Sequence, residues 1–161
     1  MPIELRYADV IDFLRTHALL GMTAEQRAQS LVELGLIEEP DPAVAIRAEF
    51  NAALRDTLAF SPLIRNAHWE RTIAALTGAA IRITDHADAS LVGLCCPACT
   101  CLVFTDEEDA FFEICPVCLW QNDGTAGDEY SGCNHVTMSA FRTSADFASR
   151  VQAGTLLYLQ P

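Results

Sequence analysis

The sequence contains no lysine. All ten of its cationic side chains are arginine, set against 22 aspartates and glutamates, for a formal charge of −12. Affinity for a nucleic-acid backbone comes largely from neutralising phosphates with Lys and Arg, so this balance argues against direct nucleic-acid binding. It favours either plain solubility or a basic protein partner. No apolar run approaches the roughly 20 residues that a membrane span requires. The stretch Met1 to Asp12 alternates charged and apolar residues and lacks the basic and apolar regions of a secretory signal. These features predict a cytoplasmic protein without a membrane contact, whose cysteines stay reduced. Cysteine is absent from the first 94 residues, and all seven lie between Cys95 and Cys133. There is no P-loop, no G-x-S-x-G elbow, no H-E-x-x-H and no Gly-rich dinucleotide turn. With 51% hydrophobic and 20% charged residues, the composition is globular. The length allows one compact domain or two small modules.

The first 84 residues read as a helical region. Tyr7, Val10, Ile11, Leu14 and Ala18 recur at helical spacing, with Asp9, Asp12 and Arg15 on the other face. Thr23 and Gln26 form a capping box for a second helix, which Gly35 can close. Asp41 and Pro42 supply an N-cap and a first-turn proline for a third, with Ile46, Phe50, Leu54 and Leu58 as one continuous apolar stripe. Ser61 and Pro62 repeat that start signal for a fourth helix, ended by Gly78. Ile81 and Ile83 then alternate with polar residues as a short strand, and Thr84 to Ser90 is a polar connection. This divides the chain into 1–84, helical, and 85–161, cysteine-rich. His17 and His68 have no ligand partners nearby in sequence, and His86 falls in the connection.

Cys96-Pro97-Ala98-Cys99 and Cys115-Pro116-Val117-Cys118 are two knuckles separated by fifteen residues. Two residues between cysteines let a tight turn aim both sulfurs at one ion, and two such turns complete a tetrahedral four-sulfur site. The predicted ligands are Cys96, Cys99, Cys115 and Cys118, around one structural zinc; thiolate ligands alone leave iron as the alternative. Four thiolates close the coordination shell, which argues against zinc hydrolase chemistry. A thioredoxin-like reading of one pair would leave the other unexplained. Cys95, Cys101 and Cys133, with His135, are either a second site or buried thiols and hairpin residues. Between the knuckles, Leu102-Val103-Phe104 and Ala110 to Ile114 are strand-like and Thr105 to Asp109 is a polar turn. A helix is expected from about Met138 to Val151, and Leu156 to Leu159 could form a terminal strand.

Cys96-Pro97-Ala98-Cys99, the run Glu113-Ile114-Cys115-Pro116-Val117-Cys118-Leu119-Trp120 with Asp123, and Asn134-His135-Val136-Thr137-Met138 resemble the bacterial cysteine-rich CPCC domain family. The resemblance covers roughly residues 95 to 145. It implies a zinc-ribbon-like, metal-binding module and no particular reaction. Ala98 stands where that family has a third cysteine, and Thr100 and His135 stand where it has glycines. Trp120 reads as the aromatic packed on the knuckle and Asp123 as the cap of the Asn122-Asp123-Gly124 turn.

The expected fold is α+β: a helical N-terminal half packed with a zinc-ribbon-like β-hairpin unit and a C-terminal helix. The expected function is non-catalytic: a zinc-stabilised acidic module of the bacterial immunity or antitoxin type, inhibiting a basic toxin such as a nuclease. The alternative is a zinc-ribbon adaptor in transcription or translation; an enzyme is the third class. Residues 95–161 contain nine acids and only two bases, Arg142 and Arg150, without the basic patches of direct nucleic-acid binders. The candidate partner surface is Asp106, Glu107, Glu108 and Asp109 at the hairpin tip, with Asp123, Asp128 and Glu129 in the following loop.

Overall fold

A computed structural model describes residues 1–161 and resolves them into two compact units, Leu5–Phe60 and Met1–Glu4 with Ser61–Pro161. The fold class is α+β, with eight helices and three two-stranded sheets.

The first unit is helical. Helix α1 (Tyr7–Gly21) buries Val10, Ile11, Leu14 and Leu19. The capping box of α2 (Ala24–Glu33) forms as its spacing predicts: Gln26 N donates to Thr23 Oγ1 at 3.2 Å and Thr23 N to Gln26 Oε1 at 2.8 Å. At its end, Gly35 in the left-handed region lets Gly35 N reach Val32 O and Leu36 N reach Leu31 O, both at 2.9 Å. Leu19, Ala28, Leu31, Ala45 and Leu54 make a buried cluster. Asp41 caps the next helix as expected, accepting from Ala43 N and Val44 N.

That helix does not run on through Phe50 and Leu58. Helix α3 covers only Pro42–Ala45, a 3₁₀ turn follows at Ala48–Phe50, and α4 covers Asn51–Thr57. Leu54 is buried, but Ile46 is 63% exposed. The interruption has a donor. The buried Arg27 gives its Nε–H to Ala45 O at 2.9 Å and an Nη2–H to the Asn51 side chain, so it serves the break from the side.

In the second unit, α5 (Asn66–Thr77) starts four residues after Pro62, not at it. Ser61 Oγ accepts from Leu63 N in a turn, and Leu63 and Ile64 are buried. The helix is capped from afar: Asp88 accepts from Asn66 N at 2.8 Å and from Arg65 Nε at 3.0 Å. Gly78, at φ +75°, ends it as expected. Strand β1 (Ile3–Leu5) pairs with β2 (Ile81–Ile83), whose Ile81 and Ile83 are buried.

The boundary expected at 84/85 therefore falls inside this unit, which divides from the first at Phe60/Ser61. The polar run 84–90 looks like a linker because it is polar. Its Asp88 is polar because it caps α5, and Arg65 also reaches Thr155 O at 3.1 Å.

Strand β3 (Leu94–Cys95) pairs antiparallel with β4 (Leu102–Phe104), so the first knuckle lies at the tip of this hairpin. Residues 110–114 are not its second strand. Residues Glu107–Ala110 form a short helix, α6, so the expected polar turn is helical. Asp106 caps it by accepting from Asp109 N at 2.8 Å, while the Asp109 carboxylate reaches back to Thr105 N at 2.7 Å. Farther on, β5 (Tyr130–Ser131) pairs with β6 (Val136–Thr137). The expected C-terminal helix is two, α7 (Met138–Arg142) and α8 (Phe147–Gly154). Thr143 Oγ1 bonds back to Ala140 O at 2.8 Å where α7 closes. The terminal segment is not a strand: Tyr158 makes a single bridge to Ile64 and is buried, while Leu156 is exposed.

Candidate metal centre

Each knuckle is built by the same pair of backbone hydrogen bonds. Cys96 N donates to Cys101 O at 2.9 Å and Thr100 N to Cys96 O at 2.8 Å; Cys115 N donates to Trp120 O at 2.9 Å and Leu119 N to Cys115 O at 3.0 Å. Closing a hairpin this tightly requires a left-handed residue just after the second cysteine. Thr100 and Leu119 occupy that place at φ +60° and +70°. Ile114 bridges Gln121 and completes the second hairpin.

The two tips face one another and bring Cys96, Cys99, Cys115 and Cys118 together, all buried, with every pair of sulfurs within 4.8 Å. The closest pairs run between knuckles, Cys96–Cys118 and Cys99–Cys115, each 3.6 Å apart. Tetrahedral zinc–thiolate bonds of about 2.3 Å imply sulfur separations of about 3.8 Å, so the donor set fits one divalent ion. Without a cation four crowded thiols cannot ionise together. Thiol hydrogen bonds from Cys118, Cys96 and Cys99 hold Cys115 down, and hydrogen bonding to Cys115 in turn drives Cys96 and Cys118 upward. A bound cation removes that conflict by taking all four as thiolates.

The surroundings serve the knuckle backbones. Arg142, ending α7, donates Nε–H to Ala98 O at 2.9 Å and Nη2–H to Pro97 O at 2.6 Å. Arg150, from α8, gives Nη1–H to Cys118 O at 3.4 Å. Gln160 Nε2 donates to Cys99 O at 2.9 Å. The two arginines are the only cations between Arg82 and the C-terminus. Both lie against the knuckles, where they offset the negative charge of a tetrathiolate. The sequence marks both as the only bases of an acidic segment but assigns neither to the knuckles; their isolation there was the available signal. Gly154 packs so tightly that a Cβ there would stand 2.3 Å from Val117 Cγ1, inside the second knuckle.

The signature residues beyond the ligands are structural. Trp120 is wholly buried and stacks at a tilt on Phe141, 5.1 Å between centroids. The Asp123 carboxylate accepts from Ser131 Oγ and Thr125 Oγ1, each at 2.6 Å, and these hydroxyls pull it down to about 2. Ser131 Oγ in turn accepts from Asn134 N at 2.9 Å. Asn134 pairs with the Gln121 backbone, accepting from Gln121 N at 2.8 Å and donating to Gln121 O at 2.9 Å. This relay ties the second knuckle hairpin to the β5–β6 ribbon, and His135 turns the ribbon at φ +56°.

Of the candidate partner surface, all but the half-buried Asp123 are exposed; among them Asp106 also caps α6, Asp109 also holds Thr105, and Asp123 holds the relay. Cys95 and Cys133 are exposed and Cys101 is buried; with His135 they lie outside the four-sulfur group. Burial pushes the Cys101 thiol up. His86 is half-buried and its Nδ1 lies 2.9 Å from Asn66 Oδ1, so it is not a free loop residue.

Residues 94–149 match the family model of the cysteine-rich CPCC domain, so this segment of the chain carries that domain, as the motifs imply. The matched span holds both knuckles, the relay and Arg142; Arg150 lies one residue beyond it. No curated protein and no solved structure matches the chain.

Proposed function

We propose that the protein is a zinc-stabilised, non-catalytic protein-binding module of the immunity or antitoxin type, inhibiting a basic toxin such as a nuclease in the cytoplasm. The observation that carries this reading is the placement of charge. Arg142 is turned onto knuckle carbonyls, and Arg150 is divided between Cys118 O and an ion pair with Asp146 at 3.3 Å, so the cysteine-rich region presents its other carboxylates outward with few opposing cations. Such a surface repels phosphate and attracts a cationic protein, raising its rate of association. The metal would serve as a pin between two hairpins: zinc with four thiolates has no open position for water. Asn122 extends that rigidity to α6, its Nδ2–H donating to Ala110 O at 2.8 Å.

The test has two arms. Purified protein should contain about one zinc per chain, as a single four-cysteine site requires. Co-expression with the basic partner recovered by pull-down should protect cells from that partner's toxicity and yield a stable complex of the two. Iron in place of zinc would correct the metal; neither protection nor complex, with zinc bound, would reject the inhibitor reading.

A further inference from the structure

The segment that follows α6 is held in an unfavourable conformation while its side chains face solvent. Phe112 has φ +60°, a left-handed value that a bulky aromatic residue rarely adopts. Its backbone is clamped on both sides: Phe112 N donates to Asn122 O and Gln121 Nε2 donates to Phe112 O, each at 2.9 Å. Despite this anchoring, Phe111 is 64% exposed, Phe112 47% and Ile114 55%. The two rings contact edge to face at a centroid distance of 4.4 Å. The neighbouring charges, Glu107, Glu108 and Glu113, are exposed carboxylates.

We propose that Phe111, Phe112 and Ile114 are the apolar anchors of a protein-docking surface whose occupant is a cationic protein, with Lys or Arg bordering an apolar cleft. The proposal rests on the protein-binding reading above and gives it a location. Charge selects the occupant. A second copy docked face to face would set Glu107, Glu108 and Glu113 against their own equivalents, and no lysine or arginine lies between Arg82 and Arg142 to relieve them. An anionic lipid surface would be repelled likewise. A cationic rim pairs with those carboxylates while the rings enter an apolar cleft. Buried aromatic residues at the centre of an interface commonly dominate its affinity, and a clamped backbone lowers the ordering cost of binding.

The experiment titrates the zinc-loaded full chain, followed by its backbone amide resonances, with two synthetic peptides of equal charge. One alternates arginine and leucine, the other arginine and serine. The expected result is shifts centred on residues 111–114 and binding about tenfold tighter for the leucine peptide, an advantage abolished by F111S/F112S. Phe112→Gly, which suits φ +60°, is the companion variant that removes the ring without straining the fold; it should lose part of the advantage at unchanged zinc content. Equal binding of both peptides, or shifts confined to residues 5–60, would overturn this location and leave an anionic binding protein. Binding of neither peptide would overturn the location and the protein-binding reading together. Self-association abolished by F111S/F112S, measured by sedimentation, would show a second copy to be the occupant and overturn the proposal.

Discussion

Thr100 shows most directly how a single residue carries the geometry of the site. A β-branched side chain at φ +60° is strained, since only glycine takes that value without steric cost. Thr100→Gly should stabilise the protein by about 1 kcal/mol, as relief of left-handed strain exceeds the added entropy of the unfolded chain. Chemical denaturation of the metal-loaded forms measures it, and a loss of stability would show that the hydrogen bond from Gln160 Nε2 to Thr100 Oγ1, 3.1 Å, dominates. Asp123 makes a prediction in pH. Its folded value, about 2, lies below the ordinary 3.8, so its contribution is present above about pH 4 and lost as pH falls toward 2. The stability difference between the protein and Asp123→Asn should be largest near neutrality and vanish toward pH 2. Both proteins protonate their thiolates alike, so the difference isolates Asp123. A difference independent of pH would contradict the relay.

At the scale of elements, the knuckles depend on α7 and α8. The Gly154 contact offers a direct probe, because Gly154→Ala drives a methyl group into Val117 between two ligands. Overpacking of this kind costs about 1–3 kcal/mol, and here it should also speed metal loss to a chromogenic chelator. Destabilisation without faster metal release would mean that α8 yields instead of the knuckle. Helix α6 requires a finer charge test than neutralising its whole acidic run. Asp106 and Asp109 hold the start of the helix, so their removal confounds folding with charge. Glu107→Gln with Glu108→Gln removes charge alone. It should slow association with the proposed basic partner and flatten its salt dependence at unchanged metal content; an unchanged on-rate would exclude α6 from electrostatic steering.

For the whole molecule, the two units should respond differently to metal removal. The helical unit Leu5–Phe60 has its own cluster around Leu31 and Leu54, whereas the cysteine hairpins are short and converge on four sulfurs. A strong chelator, or Cys115→Ser with Cys118→Ser, should abolish stoichiometric zinc and collapse the near-ultraviolet signal of the buried Trp120 while most helical circular dichroism persists. Full zinc retention in the double variant would disprove the ligand assignment.

Local chemistry alone determined much of this protein. The four-cysteine cluster is legible because two residues between cysteines is a turn geometry, and the Thr23, Asp41 and Gly78 caps are legible because each bonds within a few residues. The strand Ile81–Ile83 follows from alternation in the same way. What the tertiary structure decided lies at long separation. Arg27 interrupts a stripe that looks continuous, Asp88 caps a helix 22 residues earlier, and Arg142 reaches a carbonyl 44 residues away. A polar or charged side chain can satisfy many partners, so its identity does not encode which one it meets. Only the folded chain brings donor and acceptor together, and with them the place where the units divide and the anionic face that results.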